Sequence, residues 1–400
     1  MSLPFHLVAP LQQPVKFKIA SINFNNAMFQ KTAGYEDSDF ARRVRILAEF
    51  VRVLASQGVA IINIQELSSR FMSVETLRYQ LLEALFKVSP SWTATCPVPR
   101  HGDAMKCFNL MTFWDANILH FNSTTNFHFS EGEPRDVGNQ LCAQDNIFST
   151  SNALITDFSL TVPQTQSEYH SGGLSIDNRA KILNVNVHMP IPGPLKVKCL
   201  ERLFGYLDMY PDLDSHFVSI CGDFNVFRDE IESIEMIRQM ELFGQVGAQQ
   251  HGEMYYYPTL GGRTRSSSFV GMKYDLKNFM KLCDPDTDVD KYQTWVAGQY
   301  DEIMRTFKKP VCPLDWFIFK PQQWCRPLIT QIIEIDDQKA LLPTEFRQWI
   351  EESLKTTQVP DYGNFLTDHL PLISTIEVLP WDHTAVTCPP PAYKLGKCLL

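Results

Sequence analysis

The chain has 400 residues, is 44% hydrophobic and 12% aromatic, carries a net charge of −9, and contains 10 cysteines with no paired spacing. That composition is ample for a buried core. The scattered cysteines read as free thiols in a reducing compartment and exclude a disulfide framework or a cysteine zinc site. The acidic balance argues against a protein that grips long nucleic acid by its overall field, and the apolar runs fall far short of a membrane span.

Residues 17–23 alternate as a strand that ends on Asn23, with Phe24, Asn25 and Asn26 behind it. Residues 40–54 repeat apolar positions at helical spacing, and their arginines read as a solvated face. A second strand over 59–65 ends on Gln65 and the carboxylate of Glu66, and residues 74–88 predict the next helix. Residues 110–114 and 118–121 read as a hairpin bent at Asp115-Ala116-Asn117. The run 182–188 ends on His188, and a helix over 200–210 follows. Residues 217–221 form a short buried strand closed by Gly222, which delivers Asp223, Phe224 and Asn225. Downstream, Asp315 sits at the edge of the run 314–319, a helical stretch lies around 344–354, and Asp368-His369 precede the apolar 370–373. No internal repeat is visible. Residues 1–11 lack a basic region and an extended apolar run, so no secretory signal is expected; the default location is cytoplasmic, with specialised secretion left open.

Asp223 and Asn225 stand two residues apart at a strand's end, so their side chains point to one side. That arrangement can hold a water or a metal against a phosphate; the alternative is a strand followed by an Asp/Asn turn. Polar residues at the edges of the other apolar runs seldom sit in a core unpaired. Taken singly, His188 also fits a satisfied strand-end histidine, and Asp315 a turn cap.

In order, Asn23, Gln65-Glu66, His188, Gly222-Asp223-Phe224-Asn225, Asp315 and Asp368-His369 resemble the marks of the endonuclease/exonuclease/phosphatase superfamily. The resemblance spans roughly residues 15–378. It implies an α/β (α+β) fold, a two-layer β-sandwich flanked by helices in an α/β/β/α arrangement. The implied domain layout is an N-terminal extension over 1–14, a catalytic domain over 15–378 and a tail over 379–400. Insertions are placed at about 228–310 and 325–362. It also implies hydrolysis of a phosphate mono- or diester with Mg²⁺, or Mn²⁺ as substitute. The family roles fall on these residues as follows. Asn23, Glu66 and Asp368 hold the metal, with Gln65 supporting Glu66. Asp223 orients the attacking water and Asn225 holds a phosphate oxygen. His188 stabilises developing charge, and His369, oriented by Asp315, acts as acid/base or phosphate donor.

No subfamily's extended motifs are matched. Arg179, Arg263 and Arg265 are candidate phosphate-binding residues, and Tyr255–Tyr257 either stack on a base or pack a loop. The acidic balance and the Arg/Lys loop favour a phosphorylated small molecule or lipid headgroup, such as an inositol phosphate or phosphoinositide. A nuclease or deadenylase is the alternative, and a binding module that lost catalysis is a third reading. The sequence points to no protein partner.

Overall fold

The structure, a computed structural model, describes residues 14–24, 37–67, 73–95, 110–129, 152–162, 175–189, 193–225, 235–236, 239–240, 242–246, 248–250, 253–255, 315–333, 341–344, 347–348 and 371–379. Along the chain come β1 (Val15–Asn23), α1 (Asp37–Ser56), β2 (Val59–Gln65), α2 (Val74–Phe86), β3 (Trp92–Thr95), β4 (Met111–Asp115) and β5 (Leu119–His128). Then follow β6 (Asn152–Val162), β7 (Ser175–His188), α3 (Gly193–Asp208), β8 (His216–Asp223), β9 (Gln245–Val246), β10 (Ala248–Gln250) and β11 (Glu253–Tyr255). β12 (Asp315–Lys320), β13 (Cys325–Ile332) and β14 (Leu372–Val378) complete the order.

Among the described residues these strands form two six-stranded sheets, β13-β14-β1-β2-β4-β3 and β5-β6-β7-β8-β12-β9, beside a small β10-β11 pair. Alternation in the sequence explains the layering. In β1, Ala20 and Ile22 pack with Leu47, Phe50 and Leu54 of α1, while Phe17 and Ile19 face the other sheet. In β8, Val218 and Ile220 pack with Leu200, Leu203 and Leu207 of α3, while Phe217 and Cys221 face inward between the sheets. The result is helix, sheet, sheet, helix, as the sequence predicts. Each fully buried Leu, Ile or Phe stabilises it by roughly 1.5–3 kcal/mol relative to exposure. At the start of α2, Ser73 Oγ accepts from the Thr76 amide at 3.1 Å, which satisfies a donor the helix cannot.

Two expectations need correction. The segments on either side of Asp115-Ala116-Asn117 do not pair as a hairpin: β4 pairs with β2 and β3, and β5 pairs with β6 in the other sheet. The turn is a corner between layers. Asp115 Oδ1 accepts from the Asn117 amide at 2.9 Å, and Trp114 stacks on Phe121 across the bend with ring centroids 5.3 Å apart. Residues 325–332, placed in an insertion, form β13, which pairs antiparallel with β14 at the sheet's edge. Its Pro327 lies at a register irregularity, which an edge strand tolerates.

The interior between the sheets changes character along the strands. At one end it holds Phe17, Ile19, Ile61, Phe158, Ile182, Phe217 and Phe319. At the other, the same faces carry Ser21, Asn23, Asn63, Gln65, Thr112, Asn184, Asn186 and Ser219, all buried. The amides join the two layers. Asn63 Nδ2 donates to Asn184 Oδ1 at 3.0 Å while Asn184 Nδ2 donates back to Asn63 Oδ1 at 2.9 Å. One step nearer the strand ends, Gln65 Nε2 donates to Ser21 Oγ at 3.2 Å and to Asn186 Oδ1 at 2.7 Å. Burial pushes the Cys221 thiol, in contact with Asn63, up to about 12, so it stays protonated.

At the far end of β8, His216 Nε2 lies 3.6 Å from Asp157 Oδ2, and Tyr210 donates to that oxygen at 3.2 Å. Burial alone would raise the Asp157 carboxyl, but the His216 imidazole and the Asn122 amide outweigh it and hold it below the usual aspartate value. The Tyr210 phenol, partly buried and beside that carboxylate, is pushed up to about 12. Among the described residues no helix is long and apolar enough to cross a membrane.

Candidate active site

The polar end of the interior opens into a cluster built from four strand ends. β1 and β2 run parallel with Asn23 opposite Gln65, and β7 and β8 run parallel with His188 opposite Asp223. Antiparallel β12 sets Asp315 opposite Asp223. Each sheet therefore contributes a pair of neighbouring ends, and the amide tiers beneath hold the two sheets in place.

Asn23 spans the gap. Its Nδ2 lies 3.3 Å from Glu66 Oε1 and donates to Asp223 Oδ2 at 3.0 Å. His188 Nε2 lies 3.3 Å from the same Glu66 oxygen and 3.8 Å from Asp223 Oδ2. One ligand atom each from Glu66, His188 and Asp223 falls within 4.8 Å of the others. Asp223 is 1% exposed. Two carboxylates that converge on one amide and one imidazole repel each other, and a bound cation would relieve that repulsion. One oxygen from each carboxylate and the imidazole nitrogen lie close enough together that the group could hold a metal ion.

The backbone bends sharply to present these groups. Glu66 has φ 57° and Asn225 φ 50°, left-handed values that cost a non-glycine residue about 1–2 kcal/mol. Gly222, at φ 139°, brings β8 so close to β7 that a Cβ would stand 2.0 Å from the Val187 carbonyl oxygen. The following turn is held at several points. The Asn225 amide donates to Asp223 Oδ1 at 2.7 Å, and the Met189 amide donates to the Asp223 carbonyl at 2.8 Å. Asn225 Nδ2 donates to the Met189 carbonyl at 2.8 Å. An amide nitrogen carries two N–H donors, so a second remains for a phosphate oxygen. Lys196 of α3, fully buried, donates from Nζ to the Asn225 carbonyl.

The structure thus brings together Asn23, Glu66, His188, Asp223 and Asn225, with Asp315 next to Asp223 in register. Arg179 does not join them. It lies within β7, nine residues before His188, which at about 3.3 Å per residue is roughly 30 Å along the strand. Arg263, Arg265, Asp368, His369 and most of the tyrosine loop lie outside the described residues. The sequence reading missed Lys196, which looks like one more polar position on an amphipathic helix. It also missed Asn152 and His128. Asn152 carried the same signal as the others, a polar residue at the mouth of an apolar run.

No family model matches the chain, and no curated protein matches it. Solved structures similar to it include an endonuclease/exonuclease/phosphatase family protein from Bacteroides thetaiotaomicron, 13% identical, with TM-score 0.48, covering 92% of this chain and 99% of that one. Another is a mannosyl-6-phosphatase from the same organism, 12% identical, with TM-score 0.48, covering 90% and 99%. A third is TDP2 of D. rerio in complex with a single-strand DNA product, 13% identical, with TM-score 0.47, covering 90% and 98%.

Proposed function

We propose that the chain is a divalent-metal-dependent phosphoester hydrolase of the endonuclease/exonuclease/phosphatase type, with Mg²⁺ as its cation and Mn²⁺ as a substitute. The observation that carries this reading is the convergence of Glu66, His188 and Asp223 within 4.8 Å, bridged by Asn23. Glu66 and Asn23 hold the cation, joined by Asp368. When bound, the cation neutralises phosphate charge and polarises the phosphorus centre. Asp223 orients the attacking water and takes its proton. The His188 imidazole donates to a non-bridging phosphate oxygen, where negative charge grows as the water attacks. Asn225 contributes its second amide hydrogen to the same phosphate. His369, oriented by Asp315, protonates the leaving oxygen, and Arg263 and Arg265 contact the substrate.

The net charge of −9 favours a phosphorylated small molecule or headgroup over a long nucleic acid. The test is release of phosphate and of nucleotides from matched panels of inositol phosphates, phosphoinositides, RNA and DNA, with Mg²⁺ and with chelator. Asp223→Asn and Glu66→Gln are each expected to lower metal-dependent release by about 10²–10⁴-fold. Activity that survives both substitutions would sink the assignment. Nucleotide release with a steep salt dependence would favour the nuclease instead.

A further inference from the structure

The row of site residues extends further than the hydrolytic cluster. Registers across neighbouring strands align His128 with Asn152, Asn152 with His188, His188 with Asp223, and Asp223 with Asp315. Directly paired residues share a face of the sheet, and adjacent strands lie about 4.8 Å apart. The polar row therefore runs on past His188, away from Asp315, for about 10 Å. Asn152 is 2% exposed. Its Nδ2 donates to Asn126 Oδ1 at 2.6 Å, and Asn126 Nδ2 lies 2.7 Å from His128 Nε2. An amide nitrogen only donates, so His128 Nε2 is the acceptor in that contact. This run of donors fixes the orientation of the Asn152 amide. Its nitrogen is committed to Asn126, while Oδ1 is buried with no hydrogen-bond partner among the described residues. A buried acceptor one strand away from His188 is a place for a donor from the ligand.

We propose that Asn152, set by Asn126 and His128, forms a hydroxyl-recognising subsite beside the phosphate site. The substrate is then a phosphoester whose carbon skeleton carries a free hydroxyl near the ester oxygen, as on a sugar or inositol ring. The chemistry of Oδ1 selects this class. A second phosphate has no hydrogen to give at neutral pH and is repelled by the carbonyl dipole, and an acyl chain leaves the acceptor unsatisfied. A hydroxyl satisfies it and still accepts from a neighbouring donor. The separation also fits, because a hydroxyl on the carbon next to the ester lies about one strand spacing from the phosphorus. This proposal rests on the hydrolase reading for the position of the phosphate.

The test compares binding of myo-inositol 1-phosphate, glucose 6-phosphate and methyl phosphate by ligand-observed NMR with Mg²⁺ on an Asp223→Asn background, where turnover is suppressed. At least one ring phosphate is expected to bind about tenfold tighter than methyl phosphate, and which one does so distinguishes inositol from sugar. Asn152→Ala is expected to bring that ratio within about twofold of unity, with methyl phosphate binding nearly unchanged. Asn126→Ala, which releases the Asn152 amide, should lower the ratio in the same direction. Each ratio is taken on one sample, so a partly unfolded variant does not distort it. Equal binding of all three ligands, binding of none, or a ratio that Asn152→Ala leaves intact would overturn the subsite and leave Oδ1 to a structural water. Ring-selective binding without Mg²⁺-dependent phosphate release would instead keep the subsite and remove the hydrolase reading.

Discussion

Gly222→Ala concentrates the demands of the site into one methyl group. At φ 139°, alanine occupies a region that L side chains rarely adopt, which costs about 1–2 kcal/mol or more. Its Cβ would stand 2.0 Å from the Val187 carbonyl oxygen and 3.0 Å from the Val187 backbone carbon, both parts of the adjacent strand and unable to swing aside. Restoring even a tight contact separates β7 from β8 by about 1 Å. The bond from the Met189 amide to the Asp223 carbonyl, now 2.8 Å, would stretch to about 3.8 Å and cease to be a hydrogen bond. With one or two such bonds lost at about 1 kcal/mol each, the destabilisation sums to roughly 2–4 kcal/mol. Urea denaturation measures it, and phosphate release should fall as His188 and Asp223 separate. Gly205, in α3 with nothing within 4 Å of the position a Cβ would take, is the control: Gly205→Ala should stabilise by about 0.5–1 kcal/mol. A Gly222→Ala protein within about 1 kcal/mol of the parent would refute the argument that close strand approach requires this glycine.

Lys196→Met keeps the buried volume and removes the donor to the Asn225 carbonyl; hydrogen exchange at the Asn225 amide should quicken about tenfold or more, with a loss of about 1–3 kcal/mol in stability. Unchanged exchange at Asn225 would show that the lysine does not hold the turn. Asp157 has its carboxyl held below the ordinary value in the folded state, so its stabilising contribution is complete above the unfolded aspartate pKa of about 3.9 and is lost as pH falls through the lower folded value. Asp157→Asn should therefore flatten the acid limb of the stability–pH curve below about pH 4, and an acid limb that keeps its slope would contradict this.

Much of this site was legible because polar residues at the ends of apolar runs have few reasons to be there. Asn23, His188 and Asp223 each end a strand and Glu66 follows one, and their side chains lie close together. What stayed hidden depends on pairing between distant segments, which spacing along one strand does not encode. Asp115-Ala116-Asn117 has the composition of a hairpin turn, yet the chain changes sheet there: β4 pairs with β2 and β3, β5 pairs with β6, and Trp114 stacks on Phe121 across the corner. Arg179 looks close to the His188 run until β7 proves to extend back to Ser175. β13 was obscured by Pro327, which disrupts the alternation a strand is recognised by. Asn152 and His128 gain their meaning only from the register that lines them up with His188.

The order of strands in the first sheet has a consequence for how the protein is made. β1 lies between β2 and β14, so one whole edge of it waits for residues 372–378, more than 340 positions later in the chain. The β5-β6-β7-β8-β12 sheet can be complete once residue 320 has left the ribosome, whereas the sheet that carries Asn23 and Glu66 cannot. During synthesis, β1 and β2 present an open, apolar edge of the kind that invites pairing with other chains. The nascent protein therefore carries that open edge until late in translation, when β14, the last strand among the described residues, can pair with β1.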